Sequence, residues 1–138
     1  MNSRFLCDVL LEIKYFQDLL ENSSAKYYGH LLLKIVGSDT IPVLLMTDRG
    51  NPLILVDTET GFETRYFRVE AIDEVKNIVT VTLLRPLDIY GETTTSMPDV
   101  VSLEKTKTVN TLNIKMISGV QLSKTGLLTN KMIIEPKW

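Results

Sequence analysis

The amino-acid sequence predicts a mainly β protein, an antiparallel β-sandwich of jelly-roll type or a barrel, preceded by an N-terminal α-helix. Between residues 5 and 20, apolar side chains recur at spacings of three and four, the period of an amphipathic helix. After Ser24 the pattern changes to short runs of Val, Ile, Leu, Phe and Thr broken by Gly, Pro, Asn and Asp, as in strands and turns. No helical pattern lies between these runs, so the sequence lacks the crossover helices that parallel strands need.

The helix is expected over residues 4–21, with Ser3 as its N-cap and the short polar side chains Asn22, Ser23 and Ser24 ending it. Phe5, Leu6, Val9, Leu10, Ile13, Phe16 and Leu20 make up the stripe expected to dock on the sheet. At about 100° per residue, Leu11, Tyr15 and Leu19 form a second stripe roughly opposite, and Cys7 lies beside Leu11 on the flank. Cys7, Leu11, Tyr15 and Leu19 are therefore the candidate self-association residues, because apolar patches left in water usually mark partner surfaces. The open alternative is a helix sandwiched within its own monomer.

Strands are expected over residues 31–36, 42–47, 53–57, 65–73, 78–84, 100–103, 112–117, 120–122 and 131–135, a β-region of 30–135. The loop Asp48-Arg49-Gly50-Asn51 joins the second and third strands, Gly50 supplying the positive φ that tight hairpins favour. Glu74-Val75-Lys76-Asn77 joins the fourth and fifth. In 78–84, Val79, Val81 and Leu83 alternate with Ile78, Thr80 and Thr82, the two-residue period of a half-buried strand. The Thr- and Lys-rich stretches further on are read as turns, and residues 91–98 as a mobile polar loop ending at Pro98. With 138 residues, 44% of them apolar and 23% charged, the chain is sized for a single domain, 1–138, with its own core.

Fifteen basic against seventeen acidic residues give a net charge of −2, which supplies no positive field for a phosphate backbone, so nucleic acid is not an expected partner. The longest apolar runs are far too short for the roughly 30 Å of a bilayer core, so no membrane span is expected. Asp8, Glu12 and Asp18 interrupt any apolar stretch near the N-terminus, so no signal peptide is expected either.

Little in the sequence points to catalysis. His30 and Cys7 are the single histidine and single cysteine, so a nucleophile–base pair would have to be built from those two. They cannot supply the four ligands of a structural zinc site, and the seven glycines are too dispersed for a phosphate cradle; neither metal nor cofactor is expected. Glu70, Asp73 and Glu74 lie close together, but Glu70 and Asp73 have opposite parity on a strand, which argues against an acid–base pair. Tyr15, Tyr27, Tyr28, Tyr66, Phe67 and Tyr90 are read as core or cross-strand aromatics before a sugar-stacking platform. The chain is not expected to be an enzyme.

The stretch Asp39-Thr40-Ile41-Pro42-Val43, followed by Gly50-Asn51-Pro52-Leu53, resembles the spore-coat and exosporium proteins of the CotY/CotZ/ExsY family. Phe67-Arg68-Val69-Glu70 is similar to that family's most recognisable strand, and Asp8 to Asp18 is similar to its opening helix. Thr82-Leu83-Leu84-Arg85-Pro86-Leu87 is similar to the strand that follows. The resemblance implies a structural building block of the spore surface, coat or exosporium, made in the mother-cell cytoplasm. Its implied partners are itself, as a homo-oligomer, array or fibre, and other coat or exosporium proteins. Family members are cysteine-rich whereas this chain has Cys7 alone, so assembly would rest on non-covalent contacts of edge strands and the two-faced helix. The other readings are a carbohydrate- or peptide-binding β-sandwich within a larger assembly such as a phage particle and, behind it, a hydrolase using Cys7 or His30.

Overall fold

A computed structural model describes residues 3–21, 40–47 and 49–122. The protein is mainly β, with an N-terminal helix and an antiparallel sheet, as the sequence predicts. The helix α1 is Ser3–Glu21, and the strands are β1 Val43–Thr47, β2 Leu55–Val56, β3 Glu63–Thr64, β4 Phe67–Asp73, β5 Ile78–Leu87, β6 Ser102–Asn113 and β7 Ile117–Leu122. Five strands form one sheet in the order β6-β5-β4-β1-β7, every pairing antiparallel, and β2 pairs with β3 as a separate two-stranded sheet. The described strands do not close into a barrel. The expected strands 31–36 and 131–135 lie outside the described residues.

Local chemistry sets the turns. Gly50, at φ +76°, allows the chain to double back after β1, where Thr47 N–H donates to the Asn51 carbonyl. Between β4 and β5, the Asp73 carboxylate accepts the N–H groups of Val75 and Lys76 at 3.0 Å each, and Asn77 takes the left-handed conformation at φ 56° that closes the hairpin.

Later in the chain the structure corrects the sequence reading. Residues 100–103 and 112–117 are not separate strands, because Ser102–Asn113 runs continuously along β5. The Thr- and Lys-rich stretch expected to be a turn is a bulge within that strand: between the pairs Thr82–Val109 and Leu84–Lys105 the register shifts, and Thr106 Oγ1 donates to the Leu83 carbonyl at 2.7 Å. A threonine hydroxyl can satisfy backbone groups that a bulge removes from the ladder, which lets the strand continue. The strand expected over 53–57 narrows to Leu55–Val56, and the short partner Glu63–Thr64 had no signal of its own. Within 91–98, Thr93 bridges to Leu87 and Met97–Asp99 forms a 3-10 turn.

Both faces of the sheet carry buried side chains. On one, Val43, Leu45, Phe67, Val69, Val79, Val81 and Leu83 pack with Leu112, Ile114 and Ile117 beneath Leu6, Cys7 and Leu10 of α1. Each such leucine, fully removed from water, contributes roughly 2 kcal/mol. The other face holds a smaller cluster of Leu44, Tyr66, Leu84 and Val100. Burial on both faces is why β1 reads as an unbroken apolar run, Val43-Leu44-Leu45-Met46, without alternation.

Candidate functional site

How α1 meets the sheet decides which of its residues remain available. Leu6, Cys7, Leu10 and Gln17 are buried, and Ile13 packs against the same core. Phe5 and Phe16, expected to dock, are 58% and 48% exposed. The docked face keeps Leu6, Leu10 and Ile13 of the expected stripe but drops Phe5 and Phe16 and takes in Cys7 and Gln17, a turn of the helix by about 60°. Gln17 explains the rotation: fully buried, it donates through Nε2 to the Val69 carbonyl at 2.8 Å and accepts the Ile41 N–H on Oε1 at 3.0 Å. A buried amide with both ends bonded fixes the helix face more tightly than an apolar contact does, since any turn of the helix would strand polar groups.

The four predicted self-association residues divide accordingly. Cys7 is only 4% exposed and belongs to the core cluster with Leu6 and Leu10, which corrects its expected place on the free flank. Burial raises its thiol pKa, with the Glu74 and Asp8 carboxylates adding to that and Arg4 opposing it, so the sulfur is a neutral core atom. Leu11 and Leu19 are half-buried, and Tyr15 is 63% exposed. Around them lie the exposed Arg4, Asp8 and Asp18, with Lys14 ion-paired to Asp18 one turn on.

The remaining sequence candidates fall into structural roles. His30, Tyr27 and Tyr28 lie outside the described residues. Tyr66 and Phe67 are buried in the two different core clusters, so they form no shared platform; burial also raises the Tyr66 pKa. Asp73 is taken up by its turn, while Glu70 accepts Arg68 Nη1 at 2.7 Å and is hydrogen-bonded by Thr82. Burial alone would raise the Glu70 pKa, but the bonds from Thr82 and Arg68, together with the guanidinium charge, outweigh it and hold the carboxyl below its usual range.

Arg68 itself is buried and also donates through Nε to Thr40 Oγ1 at 3.0 Å, so this charge lies within a polar seam of the second sheet face. A buried carboxylate, Asp57, accepts Thr60 Oγ1 at 2.6 Å, Thr108 Oγ1 at 2.7 Å and the Glu59 N–H at 3.2 Å, tying the β2–β3 hairpin to the bulge of β6. The bonds from Thr60 and Thr108 lower its pKa. These carboxylates serve as fasteners of the fold.

Near Ile54, Thr64, Tyr66, Pro86, Thr94 and Val100 there is a groove of about 260 Å³ that includes open solvent, shallow beside the enclosed sites that engulf small molecules. No helix among the described residues is long and apolar enough to cross a membrane. Comparison of the chain with protein-family models, with curated proteins and with solved structures finds no match.

Proposed function

We propose that this chain is a structural protein that assembles with copies of itself, serving as a building block of the spore surface, coat or exosporium. The observation that carries the self-assembly reading is the outward side of α1. The helix docks through one stripe and leaves Phe5, Tyr15 and Phe16 about half or more in water, with Leu11 and Leu19 half-covered. A cluster of large apolar side chains on one helix is costly to leave solvated and favours association. The spore-surface setting rests on the resemblance of the Phe67-Arg68-Val69-Glu70 strand and the opening helix to the CotY/CotZ/ExsY family.

The test combines light scattering of the purified protein across a concentration series with negative-stain microscopy. Discrete oligomers or regular polymers are the expected result. Dispersed monomers at every concentration would overturn the reading and leave a binding module as the better description.

A further inference from the structure

We infer that copies of the chain join head to tail, the β4–β5 turn of one, Glu74-Val75-Lys76, seating in the groove beside the far end of β5 of the next. This rests on the self-assembly reading and adds to it a contact that propagates. Among the described residues Val75 is the most exposed large apolar side chain, 92% in water. It stands on a turn whose backbone is already fixed, since the Asp73 carboxylate accepts the N–H groups of Val75 and Lys76. A tip held in one conformation loses little entropy when a partner buries it.

The groove is built around the other end of β5, where the Leu84 N–H donates to the Tyr66 carbonyl and the Thr94 N–H to the Pro86 carbonyl, each at 3.0 Å. Ile54, Tyr66, Pro86 and Val100 give it an apolar lining, with Glu63 and Arg65 beside them. A projecting apolar side chain that enters a complementary pocket elsewhere on the next copy makes a heterologous contact. Ten residues of β5, about 30 Å of strand, separate the turn from the groove, so no chain fills its own.

Charge names the occupant. Glu74 and Lys76, both exposed, flank Val75 with one charge of each sign. Glu63 and Arg65 are likewise two residues apart and of opposite sign, and neither is ion-paired among the described residues. With Val75 in the groove, one orientation of the turn sets Glu74 at Arg65 and Lys76 at Glu63, whereas the reverse orientation opposes like charges. The turn of a second copy therefore fits the groove in one direction, and a contact between two different patches runs on into a filament unless its rotation closes a ring.

The test uses charge exchange and a cross-link on the full chain, read by light scattering and negative-stain microscopy. Glu74→Arg and Arg65→Glu, each alone, are expected to raise the concentration at which polymers appear on the order of tenfold, and combined in one chain to restore it to near wild type. Val75→Asp is expected to abolish polymers. Val75→Cys with Ile54→Cys in a Cys7→Val background is expected to oxidise to a ladder of covalent oligomers on a non-reducing gel, whereas either new cysteine alone gives no ladder. Circular dichroism of each variant confirms that the fold is kept. If assembly is unchanged in Val75→Asp and in both charge variants and the paired cysteines give no ladder, this contact is overturned while self-assembly stands. Wild-type protein that stays monomeric at every concentration overturns both, the groove then being left to a different partner.

Discussion

Gln17 Nε2 donates to the carbonyl oxygen of Val69 at 2.8 Å, and the same amide accepts the Ile41 N–H at 3.0 Å on its oxygen. Val43 pairs with Phe67 where β1 meets β4, and two residues further along, that register sets Ile41 opposite Val69. The Gln17 amide therefore stands where the next rung of the ladder would be, relaying an N–H to a carbonyl that the strands, splayed around the helix, no longer bring together.

Removing that relay leaves a backbone donor and acceptor without partners. Gln17→Leu, close in size, is expected to lower stability by about 2–4 kcal/mol, read as a lower urea midpoint with an unchanged slope. Gln17→Glu separates polarity from shape: at neutral pH its carboxylate faces the Val69 carbonyl and cannot donate, and protonation restores a donor. That variant should regain part of its deficit as the pH is lowered, opposite to the wild type. Full stability of Gln17→Leu would show that the relay contributes nothing.

The seam of Arg68, Glu70 and Thr82 sets an acid limb to stability. The folded pKa of Glu70 lies below its unfolded value, so its contribution is present above the unfolded value and is lost as the pH falls through the folded one. Asp57, also lowered, acts with the same sign. Glu70→Gln is expected to cost about 1–2 kcal/mol at neutral pH, allowing for the partial exposure of the Glu70 side chain, and to flatten the decline on acidification. Parallel stability curves for wild type and variant from neutral to acid pH would exclude this role.

Asn77 holds the β4–β5 turn at φ 56°, and its carbonyl accepts the Ile114 N–H at 2.8 Å, so the turn also anchors the chain entering β7. Asn77→Gly keeps the backbone accessible and is expected to leave thermal unfolding within about 0.5 kcal/mol of wild type. Asn77→Val, branched at Cβ, is expected to cost about 1–2 kcal/mol. Equal effects of the two substitutions would rule out backbone conformation as the cause.

Elements governed by short-range patterning were legible in the sequence: the helix from its spacing, the turns from Gly50 and Glu74 to Asn77, and β5 from Val79, Val81 and Leu83. The rotation of the helix was not, because Phe16 looks like a better core residue than Gln17 until the Ile41 and Val69 backbone groups are placed beside it. A glutamine in line with Leu6, Leu10 and Ile13 was the available signal, a polar residue at a docking position. The continuous β6 was hidden for a related reason. Lys105 and Lys107 read as turn residues, but β6 lies at the margin of the described sheet, where charged side chains are tolerated, and the Thr106 hydroxyl secures the bulge by donating to the Leu83 carbonyl and accepting the Thr108 N–H. The Arg68 seam follows from strand pairing across β4 and β5, which no local window contains.

Cys7 carries the last prediction, and its burial decides the sign. The sequence places it on a free flank among the self-association candidates; in the structure it is packed with Leu6 and Leu10 against the sheet. A thiol in that setting reacts only when the helix lifts, and its raised pKa reduces the thiolate fraction further. Labelling by an aromatic disulfide reagent is expected to be slow in native buffer and immediate in denaturant, with no ladder on a non-reducing gel. Because the folded pKa lies above the unfolded one, stability should also fall as the pH rises past the ordinary thiol range, where the unfolded chain loses the proton first. Cys7→Ser, which puts a hydroxyl into an apolar site, is expected to cost about 1–2 kcal/mol, and Cys7→Val, of similar volume, less than 1 kcal/mol. Rapid native labelling together with a neutral Cys7→Ser would put the sulfur back on the surface and restore Cys7 as a self-association candidate.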